Sequence, residues 1–142
     1  MVFGRTLLIE WRREKRRILL PVSIFAPYPK TDLSGVEALA LIDTGSSISG
    51  ISSKLAADLE LSKLGKRPLK SAQGEGQIER YAFRIGIHPS GPDMMAFPFV
   101  FEEVIGIELT NTFEFTALIG MDILHQCDFS SDRNGQCMLT LG

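Results

Sequence analysis

Ala38-Leu39-Ala40-Leu41-Ile42, followed at once by Asp43-Thr44-Gly45-Ser46-Ser47, is the stretch that decides the fold. The almost wholly apolar run from Val36 to Ile42 predicts a strand that is buried on both faces. A carboxylate then stands where this strand ends. Gly45 allows the backbone to approach another chain or a ligand closely, and the hydroxyl of Thr44 can bond across to a partner. A plain turn is the alternative, because Asp at a strand end often only forms an Asx turn.

The rest of the chain shows many short strand-like runs and little helical periodicity. Strands are predicted at Arg5–Trp11, Ile18–Phe25, Ile48–Ser52, Tyr81–Ile87, Ala96–Val100 and Phe113–Ile119, with a last hairpin over Cys127–Leu141. Short helices are predicted at Lys54–Leu61, with Ser52 or Ser53 as N-cap, and from Gly120 to His125. The pattern therefore predicts an all-β protein with one or two short helices. Residues 1–142 form one domain in this interpretation, and residues 1–35 form a strand hairpin.

Composition limits the possible function classes. The chain has 142 residues, of which 44% are hydrophobic and 23% charged, so it has the material for a globular core. Its formal net charge of −2 gives no overall attraction to nucleic acid or acidic membranes. The basic cluster at 12–17 is interpreted as a solvated turn, with contact to nucleic acid or acidic lipid as the alternative. The apolar run from Ile18 to Ala26 is too short to span a membrane, and a cytoplasmic location is expected.

Only two cysteines are present, Cys127 and Cys137, and no spacing typical of a zinc site occurs. They flank a predicted turn over Asp132–Gly135. With Asn134 and Gly135 at its centre, Cys137 lies opposite Asp132, so an intramolecular disulfide is not expected. Free thiols are typical of a reducing compartment. No metal and no cofactor are expected.

Two further segments add to the Asp43 motif. Ser71-Ala72-Gln73-Gly74-Glu75-Gly76 has two glycines at a two-residue spacing, which predicts a mobile hairpin tip. Leu118-Ile119-Gly120-Met121-Asp122-Ile123-Leu124 is apolar on both sides of a glycine and an acid. With the Asp43 motif these segments, in this order, make the chain resemble the retropepsin-like aspartic protease family over roughly residues 36 to 141.

The resemblance implies a closed-barrel or sandwich acid-protease fold with one half-site in each subunit. Asp43 is then the catalytic residue, and Thr44, Gly45 and Ser46 form the active-site loop. A flap over the substrate is implied for Ala72, Gln73, Gly74, Glu75 and Gly76, and structural support of the loop for Gly120 and Asp122.

The implied activity is that of an aspartic endopeptidase. Since Asp-Thr-Gly occurs once, a homodimer must bring two Asp43 carboxylates together to activate a water molecule. The implied partners are a peptide or protein substrate and a second copy of the chain, with no nucleic acid and no membrane. The alternative is a non-catalytic dimeric domain of the same fold that binds peptides. Viral members tend to carry charged residues where this chain has Ser47 and Met121, so its dimer contacts are expected to differ from theirs.

Overall fold

The fold is described by a computed structural model that covers residues 7–14, 16–71, 74–89, 98–110 and 114–142. Its strands in chain order are β1 (Leu7–Arg12), β2 (Leu19–Phe25), β3 (Val36–Ile42), β4 (Gly50–Ser52), β5 (Lys63–Ser71), β6 (Gly74–Ile87), β7 (Phe99–Leu109), β8 (Ala117–Ile119), β9 (Asp128–Ser131) and β10 (Gln136–Leu141). The helices are α1 (Ser53–Asp58) and α2 (Met121–Leu124). The predicted all-β class with short helices is confirmed.

Six strands close into a barrel. Their order is β2-β3-β8-β4-β7-β6, and the pairing of β2 with β6 completes the circle. Strands β3 and β8 run parallel, as do β4 and β7. Strand β5 pairs with β6 and extends the sheet beyond the barrel. A closed barrel leaves no free edge within its ring, and it holds β3 in the middle of a continuous sheet.

The core is built from the inward residues of these strands. Along β2, Leu20, Val22 and Ile24 are buried, and the residues between them are more exposed. This period of two places alternate side chains on opposite faces of the sheet. Each fully buried aliphatic side chain contributes about 1.5–3 kcal/mol. The barrel core is therefore the main source of rigidity for the loops at its ends.

The two N-terminal strands do not form the predicted hairpin. Strand β1 pairs with β10 from Leu7 opposite Leu141 onward, in a separate sheet of order β1-β10-β9. Strand β2 pairs instead with β3 and β6. The basic cluster helps to fix this arrangement, because Arg12 and Arg13 donate side-chain hydrogen bonds to carbonyls of the turn between β9 and β10. Part of the predicted solvated turn is thus bound to the C-terminal hairpin.

Strand β7 is longer than the sequence predicts. The predicted strand ended at Val100, whereas β7 runs from Phe99 to Leu109, and residues 96 and 97 of the prediction lie outside the described ranges. The alternating apolar pattern that predicts a strand is interrupted in this segment by the adjacent acids Glu102 and Glu103 and by Gly106. Gly106 is required here, since a Cβ would lie 2.7 Å from the carbonyl oxygen of Ser49.

Both predicted short helices are present. Helix α1 begins at Ser53 and is capped by Ser52, whose hydroxyl accepts a hydrogen bond of 3.1 Å from the backbone N–H of Leu55. Helix α2 lies within the predicted segment from Gly120 to His125. No helix in the described ranges has the length and apolar character needed to cross a membrane.

The C-terminal hairpin forms, but with a different register. Cys137 lies opposite Ser131, not Asp132, because Arg133 and Asn134 are the central turn residues. The N–H of Gly135 donates to the carbonyl of Asp132 at 3.1 Å, and Gly135 has a φ of +92°. A turn followed by a glycine at positive φ is a common hairpin loop. Both thiols are free, as expected.

Burial determines the chemistry of the two thiols. Desolvation, with a smaller contribution from the charge of Asp128, raises the pKa of the Cys127 thiol to about 11. Cys137 is fully buried. We therefore expect slow alkylation of both thiols in the native protein at neutral pH, and rapid reaction of both in urea. Because the pKa of Cys127 is raised on folding, its contribution to stability is present at neutral pH and is lost as the pH rises toward 11. Rapid labelling of native protein would contradict this account.

Arg84 is a buried arginine that organises the loop between β2 and β3. It is 1% exposed, and its guanidinium lies 5.1 Å from the ring centre of Phe25. The guanidinium donates to the backbone carbonyls of Ala26, Pro29, Lys30 and Asp32. Asp32 has a lowered pKa, mainly through hydrogen bonds from Ser34 and to a smaller degree through the charge of Arg84.

Arg84→Met tests this anchoring. The substitution keeps an apolar stem but leaves the loop carbonyls without their donors, so we expect a loss of about 3–5 kcal/mol in the free energy of unfolding, measured in urea. Arg16→Met at an exposed position is the control and is expected to change stability by less than about 0.5 kcal/mol. Equal stability of the two variants would refute the anchoring role.

Candidate active site

The loop that carries Asp43 starts where two parallel strands end. Ile42 lies opposite Ile119 in the parallel pairing of β3 and β8. The N–H of Asp43 then donates to the carbonyl of Ile119 at 2.9 Å. This bond continues the ladder by one residue, so the backbone of Asp43 is fixed by the barrel. The side chain of Asp43 is partly exposed at the sheet end.

The loop itself orients the carboxylate. Oδ1 of Asp43 accepts a hydrogen bond of 2.9 Å from the N–H of Gly45, and the carbonyl of Asp43 accepts one of 3.2 Å from the N–H of Ser46. The Asx turn that was the alternative interpretation is therefore present, and it leaves the carboxylate accessible. Within the described residues, Oδ2 of Asp43 has no hydrogen-bond partner. A Cβ at Gly45 would lie 3.3 Å from Oδ1, which is a tight contact.

Thr44 and Gly45 form the exposed crest of the loop. The hydroxyl of Thr44 makes no hydrogen bond to any residue in the described ranges. A hydroxyl on a rigid crest is available to a group outside this chain. This geometry is relevant to the homodimer that the sequence implies.

Ser46 connects the loop to helix α2. Its carbonyl accepts a hydrogen bond of 2.7 Å from the N–H of Met121, the first residue of α2. Its hydroxyl donates to the carbonyl of Ile48 at 2.7 Å. The far side of the loop is thus also held by hydrogen bonds.

Gly120 makes this close contact possible. A Cβ at this position would lie 2.8 Å from the carbonyl oxygens of both Ser46 and Ile48. These are backbone atoms, so any side chain at 120 would push the loop away from α2. The structure therefore places Gly120 directly behind the Asp43 loop, where the resemblance assigns it a supporting role.

Asp122 binds the strand that follows the loop. Its Oδ1 accepts a hydrogen bond of 2.7 Å from the hydroxyl of Ser49, and its Oδ2 accepts one of 3.1 Å from the Ser49 N–H. The same Ser49 hydroxyl accepts a hydrogen bond of 3.0 Å from the N–H of Gly120. Ser49 is fully buried. The network joins both ends of the Gly120–Asp122 segment to the strand entering β4.

Ser49 is the residue of this network that sequence reasoning missed. It stands in a run of serines at 46, 47 and 49, and nothing local distinguishes the one that is buried. Only the fold brings it to Asp122, 73 positions later in the chain. A buried hydroxyl that uses both its donor and its acceptor is difficult to replace.

The predicted flap lies on a hairpin. Strands β5 and β6 pair antiparallel up to Ser71 opposite Gly74. Gly74, Glu75 and Gly76 begin β6, while Ala72 and Gln73 lie outside the described residues. Gly76 is exposed, and a Cβ there would meet nothing within 4 Å. No hydrogen bond among the described residues joins this hairpin to the Asp43 loop.

A metal centre finds no support in the described part of the chain. None of its His, Cys, Asp and Glu side chains gather in groups of three or more that could hold a metal ion. The chemistry available at Asp43 is that of a carboxylate with one oxygen held by the loop. This arrangement suits proton transfer to or from a nearby water or substrate.

Comparisons with a family model and with solved structures both give matches. The family model described as aspartyl protease matches residues 30–123, a range that contains both the Asp43 loop and the Gly120–Asp122 segment. The chain is also similar in structure to a retropepsin-like aspartic protease from Rickettsia conorii, with a TM-score of 0.62 and 18% sequence identity. That match covers 99% of this chain and 97% of the other, and it confirms the predicted fold. No curated protein sequence matches the chain as a relative.

Ser49→Ala tests the support of the loop. The change removes a donor from Asp122 and an acceptor from Gly120 in a fully buried place, so we expect a loss of about 2 kcal/mol in unfolding free energy. Ser53→Ala, at an exposed position in α1, is the control and should change stability by less than about 0.5 kcal/mol. Urea unfolding of both variants gives the comparison. A Ser49→Ala protein as stable as its control would show that the network is dispensable.

Proposed function

Since this chain belongs to the aspartyl protease family, we propose that it is an aspartic endopeptidase whose active site is completed by a second copy of the chain. The observation that carries the proposal is the Asp43 loop. It holds one carboxylate rigidly at the end of the barrel and leaves Oδ2 without a partner among the described residues. The motif occurs once in these 142 residues, and we assign the second carboxylate of the same kind to another copy of the chain.

A second chain, related to the first by a twofold axis beside the loop, would supply that carboxylate. In an isologous contact each residue of one subunit meets the same surface on the other. The exposed crest of Thr44 and Gly45 is the part of the loop free to make this contact. We assign the Thr44 hydroxyl a hydrogen bond to the partner loop. This bond would hold the two loops, and the carboxylates they carry, in fixed relative positions.

Two neighbouring Asp43 carboxylates provide the acid and the base that peptide hydrolysis needs. Close like charges disfavour double ionisation, so the pair shares one proton. The ionised Asp43 takes a proton from a water molecule as its oxygen attacks the peptide carbonyl carbon, and the other Asp43 donates its proton to the carbonyl oxygen. The product of this step is a tetrahedral carbon that carries two hydroxyl groups. Its C–N bond then breaks as the first Asp43 donates its proton to the leaving amine nitrogen. The second Asp43 takes back a proton from one of the two hydroxyl groups. No covalent intermediate with the protein forms.

The hairpin of β5 and β6, whose last described pair is Ser71 opposite Gly74, is assigned the role of the flap. An antiparallel ribbon can close over an extended peptide and pair with its backbone as an added strand. Closure would exclude water from the two carboxylates during hydrolysis. Gly76 is exposed and unhindered, which supports a contact surface at this position.

Asp43→Asn tests the assigned chemistry. The amide keeps the size and the acceptor for the Gly45 N–H but cannot exchange the proton, so we expect cleavage of a peptide library to fall by at least about a hundredfold. The matched control is Asp58→Asn, at an exposed position of α1, which should cleave like the natural protein. Equal cleavage by the Asp43→Asn and natural proteins would refute the proposal. Binding of peptides with no cleavage by any form would favour the non-catalytic domain.

Mixed dimers test the shared site. When equal amounts of natural and Asp43→Asn chains are unfolded and refolded together, random pairing leaves about a quarter of the dimers with two natural chains. We expect activity to fall to that fraction of the all-natural sample, since dimers with one Asn lack the second carboxylate. Mixing with Asp58→Asn chains should leave activity unchanged. A fall to only about one half would show that each chain acts alone.

A further inference from the structure

The hairpin of β5 and β6 has two faces that differ in charge. In the antiparallel register Lys66 lies opposite Glu79, and Lys70 lies opposite Glu75. Successive pairs alternate between the two faces of the ribbon, so these two pairs share one face. Each lysine on this face has a glutamate directly across the hairpin. We call it the mixed face, and its formal charges cancel.

The opposite face carries positive charge alone. Arg67 lies opposite Ile78, and the next pair on this face is Leu69 opposite Gly76. Arg80 follows Ile78 by two positions on β6 and therefore shares the face. We call it the arginine face. None of its positions is an Asp or a Glu; they are 67, 69, 71, 74, 76, 78 and 80.

The two arginines differ in their contacts. Arg80 is half-buried, and its Nε donates to the carbonyl of Gly65 at 3.4 Å. Arg67 is exposed, and its guanidinium makes no hydrogen bond or ion pair with the part of the chain that the structure describes. Glu79, on the mixed face, accepts a hydrogen bond of 2.9 Å from the N–H of Gly65. Arg67 is thus a free cation on a face without acids.

The arginine face also leaves backbone accessible. Gly74 and Gly76 both belong to it, and a Cβ at Gly76 would meet nothing within 4 Å. Glycines of this kind let another chain approach the backbone closely. Arg67 is two positions along β5 from the residue opposite Gly76, or about 7 Å. A peptide that follows the hairpin over these glycines therefore passes beside Arg67.

We propose that Arg67 selects substrates with an acidic residue close to the cleaved bond, by pairing with its carboxylate. This inference rests on the proposed function, in which the hairpin is the flap, and it adds that the arginine face turns toward the substrate. A guanidinium can donate two parallel hydrogen bonds to a carboxylate, which suits arginine to this recognition. Because a twofold dimer carries two Arg67 side chains, an acidic position is expected on each side of the cleaved bond.

The charge and composition of the hairpin favour a carboxylate over a nucleic acid. One free cation on the arginine face matches one carboxylate, whereas binding to a nucleic acid needs several cations along the backbone. Single strands also require aromatic side chains on which bases stack, and the sequence from Lys63 to Arg80 contains no aromatic residue.

A peptide series measures the selection. In a peptide that the natural protein cleaves, Glu, Gln or Lys is placed in turn at each position near the cleaved bond. We expect kcat/KM to be about fivefold higher with Glu than with Gln at a preferred position, which is the range of an exposed ion pair. Lys at that position should give the lowest value. The preference for Glu should shrink as salt is added, because salt screens exposed charges.

Arg67 and Lys66 allow a matched comparison, because they are neighbours on opposite faces. Arg67→Gln should abolish the difference between Glu and Gln peptides, and Arg67→Glu should make Lys the preferred residue. Lys66→Gln removes the same charge from the mixed face and should leave the ratio of kcat/KM for Glu and Gln peptides unchanged. An equal loss of the preference in Arg67→Gln and Lys66→Gln would overturn the assignment, since only the total charge of the hairpin would then matter.

Binding separates this inference from the proposed activity. Two pools of labelled peptides, which differ only in having Glu or Gln at the varied positions, are titrated into Asp43→Asn protein and followed by fluorescence anisotropy. We expect the Glu pool to bind about fivefold more tightly, and the difference to disappear when Arg67→Gln is added. This preference without cleavage by the natural protein would refute the enzymatic activity and support the role of Arg67. Equal affinity for the two pools, or no saturable binding, would overturn the role of Arg67 even if peptides are cleaved.

Discussion

The hydrogen bonds on either side of Gly120 are the interactions on which the rest of the structure depends. On one side Ile119 accepts from the N–H of Asp43, and on the other Met121 donates to the carbonyl of Ser46. The second bond requires glycine at 120, because a Cβ there would lie only 2.8 Å from the carbonyl oxygens of Ser46 and Ile48. The barrel supplies the first bond through the parallel pairing of β3 and β8, and α2 supplies the second. The loop between them is fixed at both ends, while its crest remains exposed.

A loop fixed in this way would suit the shared active site that we propose. Electrostatic catalysis needs groups that are already oriented when the reaction begins, so that little reorganisation follows. The buried contacts among Ser49, Gly120 and Asp122 provide that orientation from behind. In front, Asp43 and Thr44 offer groups with unused hydrogen-bonding capacity among the described residues. The buried side of the loop thus has its hydrogen bonds within the chain, and a second copy of the chain would supply partners for the exposed side.

Much of the fold could be predicted because its signals are local. The apolar run of β3, the cap of α1 by Ser52 and the helix that follows Gly120 each depend on neighbouring residues, and each is present. The partner of β1 could not be predicted, since β10 lies more than a hundred positions away and many strands could have supplied an apolar edge. Ser49 was missed for the same reason. Of the site residues, the loop around Asp43 and its neighbour Gly120 could be located from motifs, but their support by a buried serine required the three-dimensional structure.

Stoichiometry tests the central claim most directly. A peptide in which a hydroxyl-bearing carbon replaces the scissile amide mimics the tetrahedral intermediate and should bind tightly to two paired Asp43 carboxylates. Calorimetric titration should give about one bound inhibitor for every two chains, and Asp43→Asn should bind it far more weakly. One inhibitor bound by every chain, or equal binding by the Asp43→Asn protein, would contradict a site shared between two copies.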